Sequence, residues 1–182
     1  DVEPYSAYAL SLAMAEATAA EALDDAGLTS GEPFPGRLFV ATPPSELEWP
    51  QLKDLFDSSP DPAAPGYRRL LASARTGRHA DLARHAEFAS IADHLQSTFG
   101  TVGAPVSICT ACASGATTIQ MGLEAIRRGE TEAALCIGTD ATVHPEGLIR
   151  FSLLSALSTH NDPPEKASKP FSSRRRFNRS AS

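Results

Sequence analysis

Cysteine is scarce in this chain. The three present among 182 residues, Cys109, Cys112 and Cys136, are too few and odd in number for a disulfide framework. Their small-residue and apolar surroundings suit free thiols in a reducing cytoplasm. No apolar run approaches the roughly 20 residues that a membrane-spanning helix needs. The alanine-rich N-terminal stretch is interrupted by Asp1, Glu3, Glu16 and Glu21, with no basic segment before it, which excludes a signal-peptide reading. Positive charge is also in deficit: 16 Lys+Arg against 22 Asp+Glu give a net charge of −6. That balance favours solubility and gives no support to nucleic-acid binding. No internal repeat is evident. The remaining composition, 42% hydrophobic and 21% charged, is that of an ordinary globular chain long enough to bury a core without metal or disulfide.

Periodicity divides the chain into helices and short strands. Residues 4–26 read as a helix with Leu12, Ala19, Leu23 and Ala26 on one side, Pro4 in its first turn and Gly27 as its stop. Residues 37–42 form a short buried-strand pattern after Pro33, Pro35 and Gly36. Residues 46–56 suit a short helix, and 58–66 a loop rich in proline and aspartate. A helix over 81–99, with Leu82, Phe88, Ile91 and Leu95 as its apolar stripe, ends at Gly100. The rhythm then becomes regular: an apolar run at 105–110, a helix over 113–128, an apolar run at 132–138 and a helix over 145–157. Alternating strands and helices indicate an α/β fold with a mainly parallel sheet covered by helices.

Cys112 lies where the run at 105–110 gives way to the helix over 113–128. A cysteine between a strand and a helix N-terminus faces converging backbone amides and the positive end of the helix dipole, which stabilise a thiolate. The same amides can receive an oxyanion when a thioester carbonyl is attacked. Ala111, Ala113, Ser114 and Gly115 are small enough to admit an acyl chain. Ala116, Ile119, Leu123 and Ile126 supply a buried stripe for the helix. Two other readings stand beside this one. Cys112 can be a small buried residue packing a turn. The Cys109–Cys112 spacing, C-x-x-C, can also be a redox pair or half a zinc site, although no second ligand pair of suitable spacing follows. Cys109 itself reads as an inward-pointing strand residue.

Thr110-Ala111-Cys112-Ala113-Ser114-Gly115 resembles the nucleophile motif of β-ketoacyl-acyl-carrier-protein synthases, condensing enzymes of the thiolase superfamily. Further segments resemble the same family in the same order. They are Asp25-Ala26-Gly27-Leu28 with the strand after it, residues 130–140, residues 145–151, residues 156–162 and residues 166–171. The resemblance implies a thiolase-like fold, here the nucleophile-bearing N-terminal half. A partial synthase domain is thus expected over 1–171, with an atypical Arg/Ser-rich tail over 172–182.

By that resemblance, Cys112 takes an acyl group from acyl carrier protein as a thioester. A carbanion from decarboxylated malonyl-carrier protein then attacks it in a Claisen condensation, the chain-elongation step of fatty-acid or polyketide synthesis. Phe151 matches a position lining the acyl pocket, although an aromatic at helical spacing also suits plain core. Ile108 helps wall that pocket or simply packs. The chemistry implied needs no metal and no redox cofactor. The partners implied are acyl carrier protein with phosphopantetheine-linked groups and a second copy of the chain, neither nucleic acid nor membrane. The family's catalytic histidines and lysine come from a second half. His79, His85, His94, His144 and His160 match none of them and read as solvated or locally hydrogen-bonded. Two expectations follow. The 182 residues alone are inactive in condensation, with a non-catalytic interaction module as the alternative. The switch to Arg174-Arg175-Arg176 and Arg179 points to a disordered, frame-shifted or otherwise altered end.

Overall fold

The computed structural model describes residues 6–28, 32–44 and 46–169. The tail expected over 172–182 and Pro4 lie outside them. The chain divides into two compact units, Asp1–Ala141 and Thr142–Ser182.

In the first unit, α1 runs over Ala7–Asp25, with the Ser6 Oγ accepting from the Ala9 amide at 3.2 Å. It buries Ser11, Ala15, Ala19 and Leu23. Gly27 ends it at φ 69°, a conformation glycine adopts without the Cβ penalty. Three parallel strands follow in the order β2-β1-β3: β1 at Arg37–Ala41, β2 at Val106–Ile108 and β3 at Ala134–Gly138. Phe39 is in register with both Val106 and Cys136. Successive strand side chains point to opposite faces. Leu38, Val40, Leu135 and Ile137 meet Ala15, Ala19 and Leu23 of α1 and Ile91, Ala92 and Leu95 of α5 (Ser90–Phe99) in one buried cluster. Leu38 and Leu95 are fully buried.

The opposite face takes α6, Ser114–Arg127. A Cβ at Gly122 would stand 2.6 Å from the Cys136 Sγ and 3.0 Å from the Ala134 Cβ, so this helix rests on the sheet through a residue without a side chain. Here the expected stripe is corrected. Thr118, Gly122 and Ala125 are the buried residues of α6, whereas Ala116, Ile119, Leu123 and Ile126 are exposed. Close approach to the sheet selects the smallest face of the helix and turns the larger apolar one outward. Both faces of the sheet thus carry helices, and the outer side of α6 is left as an open apolar surface.

Between β1 and α5 lie α2 (Trp49–Asp57), α3 (Gly66–Ala74), a short 3-10 turn at Ala80–Leu82 and α4 (Ala83–Ala86). The single helix expected over 81–99 is therefore broken. Glu87 is extended at φ −82°, ψ 117°, and Phe88 turns out to 38% exposure. No proline or glycine lies there, so tertiary packing makes the break, letting α5 aim Ile91, Ala92 and Leu95 at the sheet. In the second unit α7 spans Pro145–Leu153, shorter than expected, and Ser155 takes a positive φ of 53°.

Candidate active site

Cys112 sits at the carboxyl end of the parallel strands, where ligand sites of open α/β sheets collect. β2 ends at Ile108, and the chain makes a tight turn through Thr110, Ala111 and Cys112 before α6 begins at Ser114. Ala111 has φ 53°. For a residue with a Cβ that left-handed conformation costs of order 1–3 kcal/mol and persists only when its surroundings over-determine it.

The surroundings do so through hydroxyls. The Thr110 amide donates to the Ser114 Oγ at 2.7 Å, and that Oγ donates to the Ala111 carbonyl at 2.6 Å. The Thr110 and Thr117 hydroxyls meet at 2.8 Å, and the Thr117 Oγ1 lies 3.0 Å from the Ala113 carbonyl. The Ala113 amide also reaches the Thr110 carbonyl at 3.3 Å. On the sheet side, a Cβ on Gly138 would lie 3.5 Å from the Gly115 Cα, so the helix start comes close to the end of β3. The residues flanking Cys112 are braced while its own side chain is exposed. That is a presented thiol, not one packed in a turn.

The first turn of α6 contains no acidic residue, so the helix itself places no carboxylate against the positive end of its dipole. The arrangement can hold an anionic sulfur and the oxyanion it creates. Cys109, expected to point inward, is exposed as well; the strand stops one residue before it, so strand alternation no longer governs its direction. Both thiols are free. Cys136, on β3, donates to the Thr118 carbonyl at 3.3 Å, and burial pushes its thiol up from the ordinary value. At pH 8, iodoacetamide is expected to modify Cys109 and Cys112 at least about tenfold faster than Cys136. Comparable rates at all three, measured by peptide mass spectrometry, would contradict this.

Of the other residues singled out from the sequence, Ile108 is half-buried at the end of β2, paired with Ala41. Phe151 stands on α7 of the second unit, 41% exposed. Four of the five histidines have side-chain partners. His79 bonds Ser58, His85 bonds Gln51, and His94 lies 3.6 Å from Glu16. His144 Nδ1 lies 2.9 Å from the Glu146 carboxylate and 3.2 Å from the Gly147 amide, at the start of α7. Among the described residues no group of three or more His, Cys, Asp or Glu could hold a metal ion, and no helix is long and apolar enough to cross a membrane. The bracing hydroxyls of Thr110, Ser114 and Thr117 were not legible as site residues beforehand. Their clustering at a strand-to-helix turn was the available signal.

Comparison with known proteins places this turn in context. The chain is 40% identical over 81 residues to the chloroplastic 3-oxoacyl-[acyl-carrier-protein] synthase II of Arabidopsis thaliana, covering 44% of this chain and 15% of that protein. It is 36% identical over 81 residues to 3-oxoacyl-[acyl-carrier-protein] synthase 2 of Vibrio harveyi, covering 44% and 20%. To the ketoacyl synthase alpha subunit of the tetracenomycin polyketide synthase of Streptomyces glaucescens it is 36% identical over 72 residues, covering 40% and 17%. The matched stretches are therefore a fifth or less of these relatives' own lengths. The β-ketoacyl synthase N-terminal domain family matches residues 7–174, nearly the whole chain, and brings the parallel sheet and its helices under the thiolase-like fold. The chain belongs to the β-ketoacyl synthase family, and what it carries is that family's N-terminal domain.

Proposed function

We propose that these residues form the acyl-accepting part of a β-ketoacyl-acyl-carrier-protein synthase, with Cys112 as its nucleophile. The observation that carries the reading is the exposed Cys112 thiol on a turn held by its neighbours' hydroxyls at the N-terminus of α6. The Cys112 sulfur attacks the thioester carbonyl of an acyl-carrier protein. The acyl C–S bond to phosphopantetheine breaks, and the carrier thiol leaves with the proton lost by Cys112. Backbone amides at the turn, that of Cys112 among them, receive the oxyanion. Ile108 and Phe151 line the acyl chain, and the working unit is a homodimer acting in the cytoplasm. The synthase domain runs to residue 171, with 172–182 as a separate tail.

The 182 residues alone carry the acylation half-reaction and not the condensation, because none of the five histidines takes the place of the malonyl-binding pair. The apolar outer face of α6, with Ile119 64%, Leu123 44% and Ile126 42% exposed, supports the view that a second half of a two-halved fold packs there. The test is incubation with an acyl-pantetheine thioester followed by peptide mapping. An acyl group on the Cys112 peptide is the expected result. A folded chain that stays unacylated under these conditions would leave the alternative, a non-catalytic interaction module.

A further inference from the structure

A second hydroxyl–imidazole–carboxylate arrangement lies away from the Cys112 turn, in the α2–α3 segment. Ser58 follows the last residue of α2, and its Oγ is 2.7 Å from the Nε2 of His79. The other ring nitrogen of His79 is 3.5 Å from an Asp54 carboxylate oxygen. The His79 side chain is 10% exposed, that of Asp54 is 73% exposed, and Ser58 is half-buried. The ring is thus shielded, and the serine beside it only partly so.

The direction of the hydrogen bonds follows from donor counting. Ser73 is 1% exposed, and its Oγ meets the Ser58 Oγ at 3.0 Å. A buried hydroxyl must place its proton on an acceptor, so Ser73 donates to Ser58. The single Ser58 proton then has two acceptors in range, the Leu55 carbonyl at 3.3 Å and the His79 Nε2 at 2.7 Å. The shorter bond, to the ring, is the stronger. In the tautomer with its proton on Nδ1, that proton faces Asp54 at 3.5 Å and Nε2 is left as the acceptor. Nucleophile, base and orienting carboxylate thus stand in the order that activates a serine.

We propose that Ser58, His79 and Asp54 form a second nucleophilic site, independent of Cys112, at which Ser58 attacks ester or phosphonate electrophiles. With an ester, the Oγ–carbon bond forms as the hydroxyl proton passes to the His79 Nε2. The ester C–O bond breaks, and the departing alkoxide takes that proton. Water then adds to the acyl-serine, gives its proton to His79 and releases the carboxylic acid, and the proton returns to Ser58. Asp54 orients the ring from an exposed position, where water screens the pair. Its contribution is therefore a few-fold.

A fluorophosphonate probe reports the first step alone, because Oγ–P bond formation expels fluoride and the adduct is stable. The chain is expected to gain one adduct on the Ser58 peptide, and Cys112→Ala is expected to leave its rate unchanged. His79→Gln is expected to slow labelling by about a hundredfold or more, since general-base assistance contributes roughly a hundredfold to ten-thousandfold. Asp54→Asn slows it by a few-fold and, at an exposed position, leaves folding intact. Absence of an adduct on Ser58 overturns the proposal, as does labelling at the same rate in Asp54→Asn and in a His79→Gln chain of unchanged circular dichroism. Either outcome leaves a hydrogen-bonded tie between α2, α3 and the loop after them.

Discussion

Cys112→Ala is expected to lower acylation by an acyl-pantetheine thioester by at least about a hundredfold, to the background of the remaining nucleophiles, since removing a nucleophile removes the covalent route altogether. The expectation is sharp because the substitution is structurally mild. The side chain is exposed, and the turn is held by Thr110, Ser114 and Thr117, none of which is altered. Cys109→Ala serves as the counterpart. Its thiol is also exposed but precedes the braced turn, so acylation should persist within about twofold of the unaltered chain. Equal loss from both variants would mean that the two thiols act together, as a C-x-x-C pair would. Equal labelling of Cys112→Ala and the unaltered chain would remove the nucleophile assignment, leaving the family and the fold standing.

Gly36→Ala is expected to cost on the order of 3 kcal/mol of unfolding free energy, at the upper end of overpacking penalties. The new Cβ would lie 2.2 Å from the Ala133 carbonyl oxygen, 2.6 Å from its carbon and 2.7 Å from the Phe34 ring. Two of those atoms are backbone. The Ala133 carbonyl accepts from the Arg37 amide at 3.2 Å, and the Gly36 carbonyl accepts from Val102 at 2.8 Å. Relief therefore requires opening the start of the β1–β3 pair. Glycine-to-alanine changes otherwise gain about 0.4–1 kcal/mol by restricting the unfolded chain, less than the clash removes. Against a domain stability of about 5–15 kcal/mol, the loss is readily measured by urea unfolding followed by circular dichroism. A midpoint unchanged from that of the unaltered chain would show that the two strands can separate there at little cost.

Much of this was legible in the residues themselves. The order of strands and helices emerged from alternation of apolar runs and 3.6-residue periodicity, and α1, β1, α6 and β3 fall within a few residues of where the pattern puts them. The strand-to-helix turn that carries Cys112 was legible because small neighbours between an apolar run and a helix are a local feature, readable over six residues. What failed were inferences about direction. The stripe of Ala116, Ile119, Leu123 and Ile126 is a sound amphipathic pattern, yet it is exposed. Periodicity identifies the apolar face of a helix, not which neighbour it meets. The contact between Gly122 and Cys136 joins residues of separate elements, and it decided that the small face goes inward. The break at Glu87 has the same origin, whereas Cys109 faces outward because β2 ends one residue before it. The meeting of Ser58, Ser73 and His79 also comes from packing, joining residues of different segments that no spacing rule would group.

The sequence by itself therefore determined the element order, the parallel α/β class and the place of Cys112 between a strand and a helix, because each depends on neighbours along the chain. The tertiary structure decided which face of α6 is buried, where the helix over 81–99 breaks and which hydroxyls brace Ala111 at φ 53°. Each of those depends on atoms brought together by packing, where a clash of a few tenths of an ångström outweighs a local preference worth a few tenths of a kilocalorie.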